Sequence, residues 1–161
     1  MKNQTIELAT LAGGCFWCLE AVYEQIKGVE QVVNGYSGGH VVQPTYEQVC
    51  TGVTQHVEVV RVLFDPKTVS YEQLLELFWN IHDPTQVNRQ GPDTGTQYRT
   101  VIFTHGDSQR ISAETSKEEI EQSGRFAAKI ATSIETVGDY WMAEDYHQQF
   151  FEKRGVASFG H

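Results

Sequence analysis

The chain has 161 residues, 40% of them hydrophobic and 20% charged, which suits one globular domain (1–161) with a core of its own. Twelve basic residues against 21 acidic ones leave a net charge of -9, which argues against nucleic acid and anionic membranes as partners. No apolar run is long enough for a secretory signal or a membrane span, so the expectation is a cytoplasmic protein in a reducing compartment.

In chain order, 6–11 reads as a short apolar strand broken by Gly13 and Gly14. From 15 to 27, Leu19, Val22, Tyr23 and Ile26 fall at helical spacing, with Gly28 placed as a C-cap glycine. Strands are expected over 29–36 and 53–64, the second stopped by Asp65 and Pro66. Ser70 and Gln73 have capping-box spacing and open a helix with Leu74, Leu77, Phe78 and Ile81 on one stripe. Residues 82–97, HDPTQVNRQGPDTGTQ, form a long polar loop of the kind that is usually functional. A strand over 98–104, a charged helix over 108–121, a strand over 130–135 and a last helix over 144–153 complete the pattern. Strands and helices alternate except at one strand pair. The expectation is an α+β fold, a mixed sheet with covering helices in a ferredoxin-like α/β sandwich, with a long coil-rich loop and C-terminal segment.

The three cysteines, Cys15, Cys18 and Cys50, are too few and of the wrong parity for a disulfide framework. Cys15 falls in the first turn of the 15–27 helix, where unpaired N–H groups and the dipole favour a thiolate. Its pKa is expected below the free value of roughly 8.5, which makes it a nucleophile. Cys18, one turn on, is within bridging reach and reads equally well as a packing residue. Cys50 reads as structural. Phe16 and Trp17 between the two thiols suit an apolar wall beside a thiolate; a metal site gains little from them. Adjacent helical residues point about 100° apart, so one ring can be core and the other pocket.

The stretch GCFWCLE, followed by GYSGG at 35–39, TYEQVC at 45–50, HVEVV at 56–60, GTQYR at 95–99 and AEDYHQ at 143–148, resembles the peptide methionine sulfoxide reductase A family from Gly13 to about His147. The resemblance implies an enzyme acting on methionine S-sulfoxide, free or in a protein, with no cofactor and no metal. It makes Cys15 the nucleophile that ends as a sulfenic acid, Glu58 the acid, and Tyr46 and Tyr98 hydrogen-bond donors to the sulfoxide oxygen. Phe16 and Trp17 would hold the S-methyl group, and Asp93 would support the pocket. Glu58 lies in a valine-rich strand, where desolvation would keep it protonated. His56 and His147 are possible supports of the pocket; His40, His82, His105 and His161 are expected in loops or at termini.

Many relatives carry a resolving cysteine near the C-terminus, but this chain has none after Cys50. The first expectation is a Cys15–Cys18 disulfide reduced by thioredoxin; the alternatives are an external thiol such as a glutaredoxin–glutathione system, and Cys50. Two further departures are Gln55, where glycine is usual, and Met142, where proline is usual. Two other readings compete: a general thiol-disulfide oxidoreductase, and a zinc module built from Cys15, Cys18, Cys50 and His56.

Overall fold

The structure, a computed structural model, describes residues 5–153. The chain runs through β1 (Glu7–Gly13), α1 (Phe16–Tyr23), β2 (Val29–Ser37), α2 (Tyr46–Cys50), β3 (Val57–Phe64) and α3 (Tyr71–Ile81). It continues through the two-residue strands β4 (Arg89–Gln90) and β5 (Asp93–Thr94), then β6 (Thr100–Thr104), α4 (Asp107–Ser123), β7 (Ser133–Thr136), β8 (Tyr140–Met142) and α5 (Phe150–Lys153).

Six strands form one sheet in the order β7-β6-β1-β3-β2-β8, with β6 and β7 parallel and the other pairs antiparallel. The mixed sheet with helices is therefore observed. β3, with the sequence VEVVRVLF, is central and buried on both faces, as its β-branched run requires. Its alternate residues divide between two cores. Val60, Val62 and Phe64 join Ala9, Leu11 and Ile102 beneath Leu19 and Tyr23 of α1, Leu74 and Phe78 of α3, and Ile120 of α4. Val57 and Val59 pack on the other face with Ala12, Val101 and Phe103, covered by Val137 and Tyr140.

α3 starts where its capping box places it: Ser70 Oγ accepts from the Gln73 N–H, and the Gln73 side chain accepts from the Ser70 N–H. α2, absent from the sequence expectations, uses the same device with Thr45 and Gln48. α1 is shorter than expected and its C-cap is Glu24, so Gly28 is not the cap; it occupies a turn at φ +101°. The first four residues of the expected 53–64 strand are a turn and a short coil leading into β3. The expected helix over 144–153 is instead a 3₁₀ turn (Asp145–His147) followed by the short α5, and β8 precedes both. The 82–97 loop is tied down by the β4–β5 hairpin and a 3₁₀ turn (Thr96–Tyr98). No helix among the described residues is long and apolar enough to cross a membrane.

The antiparallel registers bring the end of β1 beside the starts of β3 and β6, and set Tyr36 of β2 opposite Glu58 of β3. The β1–α1 junction, the approach to β3, α2 and the 82–98 loop thus meet at one end of the sheet. Gly14, at φ +99°, makes that junction tight: a Cβ there would come within 2.7 Å of the Gln90 side chain.

Candidate active site

Cys15 is the N-cap residue of α1, half-buried, with extended backbone (φ -63°, ψ 122°). The Trp17 N–H reaches its sulfur and favours the thiolate. That pull is outweighed. A hydrogen bond shared with the Cys18 thiol, burial, and the negative charge of Glu58 and Cys18 push Cys15 up, while the same shared bond pulls the exposed Cys18 down. The expectation that the helix end alone lowers Cys15 is corrected accordingly. The shared bond couples the two thiols, so the pair takes on its first negative charge more readily than its second.

Glu58 is 1% exposed. Its Oε1 accepts a 3.1 Å hydrogen bond from the Phe16 N–H, the amide next to Cys15, and Oε2 has no partner among the described residues. Burial, with Asp93 and Cys18 adding negative charge, pushes its pKa up to about 8 against the single Phe16 bond. The carboxyl is thus protonated at neutral pH, and the orphaned oxygen is a donor with nothing to donate to. Tyr46, first residue of α2, and Tyr98, at the end of the 3₁₀ turn, are half-buried, and both phenols are pushed up by burial and by Glu58. Both remain neutral donors, close enough to feel the charge of the same carboxyl. Asp93 is exposed on β5, and its charge acts on Glu58, Cys18 and Tyr98.

The two rings of the motif separate as a helix dictates. Phe16 is 0% exposed and packs at 5.8 Å from the Tyr36 ring and 5.4 Å from that of His147. Trp17 is half-buried, near-parallel to Tyr46 at 6.3 Å and stacked on Phe150 at 3.6 Å. Its Nε1–H donates to His147 Nδ1 at 3.1 Å.

Several contributors are invisible in the spacing of the sequence. Glu144 accepts from the Tyr36 hydroxyl at 2.8 Å and from the Tyr46 N–H at 2.9 Å, so it fixes the start of α2 against β2. Buried Asn34 and Glu20 bond to each other and clasp the C-terminal segment through the His147 carbonyl and the Gln149 and Phe150 amides. AEDYHQ as a motif was the one signal that pointed there. Cys50 is exposed, not a packed structural thiol, and the Tyr46 hydroxyl hydrogen-bonds its sulfur. His56 is occupied in the loop before β3: Nδ1 accepts from the Gly39 N–H and Nε2–H donates to the Val41 carbonyl. No group of three or more His, Cys, Asp or Glu among the described residues is placed to hold a metal ion, so Cys15, Cys18, Cys50 and His56 do not make the zinc module considered from the sequence. His82 is not a loose loop residue; it bridges the Phe78 carbonyl and Thr100 Oγ1.

A nucleophile, a buried acid and two phenols beside an aromatic wall suit removal of an oxygen from a small polar acceptor with an apolar substituent. Comparison with known proteins agrees. The family model of peptide methionine sulfoxide reductase matches residues 7–159. A peptide methionine sulfoxide reductase MsrA of Methanosarcina acetivorans is 59% identical over 153 residues, covering 95% of this chain and 81% of the relative. The structure resembles methionine sulfoxide reductase A of Corynebacterium diphtheriae with a TM-score of 0.90, at 37% identity over 97% of this chain and 78% of that one. It also resembles Mxr1 of Saccharomyces cerevisiae in complex with Trx2, with a TM-score of 0.64 at 26% identity over 90% and 84% of the two chains. The chain belongs to the peptide methionine sulfoxide reductase family.

Proposed function

We propose that this chain reduces methionine S-sulfoxide, free or in a protein, to methionine through a sulfenic acid on Cys15. The observation that carries the mechanism is the unpartnered, buried Oε2 of Glu58, whose carboxyl accepts from the amide adjoining the nucleophile. Cys15 attacks the sulfoxide sulfur as its proton passes along the shared hydrogen bond to Cys18. Glu58 gives a proton to the sulfoxide oxygen, with Tyr46 and Tyr98 donating to it. The sulfur–oxygen bond of the substrate breaks and the protonated oxygen bonds to Cys15 as the sulfenic acid, while the bond between Cys15 and the substrate sulfur breaks with its electron pair going to that sulfur, so methionine leaves as an intact thioether. Trp17 lines the methyl site, while Phe16 backs it from the core, and Asp93 helps to keep Glu58 protonated.

Cys18, now holding the proton, attacks the sulfenic sulfur; the hydroxyl leaves with that proton as water, and a Cys15–Cys18 disulfide forms. A thioredoxin then reduces it. Complex formation of the related Mxr1 with Trx2 supports that partner. The strand order β6-β1-β3-β2, with a helix after β1 and another after β3, supports a ferredoxin-like label for the central part of one catalytic domain. The three free thiols suit a reducing, cytoplasmic setting.

The test is turnover of the two sulfoxide epimers with dithiothreitol by the wild type and Cys15→Ser. The expected result is S-epimer turnover that the substitution abolishes. Turnover by Cys15→Ser, or preference for the R epimer, overturns the reading. In Cys18→Ser, one methionine per chain should form without reductant, and recycling by thioredoxin should fail.

A further inference from the structure

The dithiol has two faces. Toward the rings it meets the groups described above. On its other side a cleft of about 620 Å³ opens between α1, α3 and the β4–β5 hairpin, and both Cys15 and Cys18 stand in its wall. Phe16, Trp17, Tyr46, Glu58 and Tyr98 do not line it.

Its wall has a definite chemistry. Leu19 and Val22 of α1 and Leu77 and Ile81 of α3 form an apolar floor. Asn80 and Gln90 stand among the lining residues as uncharged polar groups. Among the described residues, Asp93 is the one carboxylate and no lysine or arginine lines the cleft. His82, its one imidazole, is neutral at physiological pH: it is mostly buried and its two nitrogens are engaged by Phe78 and Thr100. Helical spacing puts Cys18 and Val22 on the same face of α1, so the exposed thiol and the apolar floor are presented together.

We propose that this cleft is where the reductant docks: an uncharged, apolar loop of a dithiol protein seats on Val22, Leu77 and Ile81 and reaches Cys18 from the side away from the substrate. The proposal rests on the Cys15–Cys18 disulfide of the preceding reading. A partner thiolate attacks Cys18 sulfur, forming a mixed disulfide and releasing Cys15 as thiolate. The partner's second thiol then attacks its own sulfur in that bond, leaving the partner oxidised as a disulfide and Cys18 reduced. Charge selects the occupant. An anionic small thiol such as glutathione meets the Asp93 carboxylate and no cation, whereas a neutral protein loop meets an apolar floor with polar groups able to bond its backbone. Two separate approaches also allow the reductant to engage before the repaired protein has left.

The test uses the full chain with thioredoxin and its recycling system, with dithiothreitol, and with reduced glutathione. Val22→Glu places a charge on the floor, and Asn80→Trp, at an exposed position, puts bulk at the cleft. Each should raise the KM for thioredoxin about tenfold or more. Each should leave dithiothreitol-supported turnover, and the single methionine formed without reductant, within about twofold of wild type. Glutathione should serve the wild type less well than thioredoxin at equal thiol concentration. An unchanged thioredoxin KM in both variants, or glutathione outperforming thioredoxin, overturns the docking site while leaving the catalytic reading intact. Failure of the wild type to form one methionine per chain without reductant overturns the catalytic reading itself, and the docking site with it.

Discussion

The carboxyl of Glu58 accepts one amide hydrogen bond and leaves its other oxygen unpaired in a site 1% exposed. A carboxylate so placed lacks the donors that would stabilise it, so the proton stays on until about pH 8. An acid that must deliver a proton near neutrality needs that poise, since one with an ordinary pKa would already be ionised. The expected wild-type kcat/KM therefore falls as pH rises through about 8. Glu58→Gln keeps the shape and an N–H donor but has no proton to transfer. It should lower kcat/KM by about 10²–10³-fold and lack the alkaline limb. A variant retaining both the rate and the limb would place the acid elsewhere. The valine-rich strand made this burial legible in the sequence. The state of Cys15 was not legible, because helix position names only the Trp17 N–H, whereas the shared hydrogen bond with Cys18 and the charge of Glu58 exist only in three dimensions.

The elements that aim these groups are short, and shortness decides what can be read in advance. α3 has eleven residues, an apolar stripe and a capping box, and all three appear in the sequence. α2 has five residues, too few for periodicity, so its capping box was the only local signal. β8 has three, held by pairing with β2 and by the Tyr140 hydroxyl on the Val33 carbonyl, contacts more than 100 residues distant along the chain. The turn leading into β3 shows why glycine is usual at position 55: Gln55 adopts φ +61°, a region that side chains with a Cβ occupy at a cost. Its carbonyl accepts from Arg99, so the backbone is held there regardless of the residue. Gln55→Gly should stabilise the protein by about 0.5–1 kcal/mol, the steric relief exceeding glycine's greater freedom when unfolded. Chemical denaturation would show it as a higher midpoint at unchanged slope. A lower midpoint would mean that the Gln55 side chain contributes more than its backbone costs.

At the scale of the whole molecule, strand order and the meeting of four segments at one sheet end were beyond sequence spacing, yet the motifs marked every segment that arrives there. Two buried groups in that region tie stability to pH with opposite signs. Glu58 is pushed up to about 8 by burial, so between the ordinary carboxyl value near 4.5 and pH 8 the folded chain keeps a proton that the unfolded chain has lost. Its contribution is fully present below about 4.5 and is lost as pH rises through about 8. His82 is pulled down to about 4 by burial, against the pull of its bond to the Phe78 carbonyl and the nearby Asp83 charge. Below its ordinary value near 6.5 the unfolded chain takes up a proton that the folded chain refuses. Its contribution is present above about 6.5 and is lost as pH falls toward 4. Urea denaturation of the wild type and Glu58→Gln between pH 4.5 and 9 separates the two. The variant should gain on the wild type steadily as pH rises to about 8, by on the order of 5 kcal/mol, and hold that advantage above it. Between pH 6.5 and 4.5 the variant should weaken as His82 loses its contribution, while the wild type, regaining that of Glu58 over the same range, should change little. Parallel curves across the whole range would mean that Glu58 is ionised in the folded protein at neutral pH, and the proton assigned to the sulfoxide oxygen would have to come from Tyr46 or Tyr98.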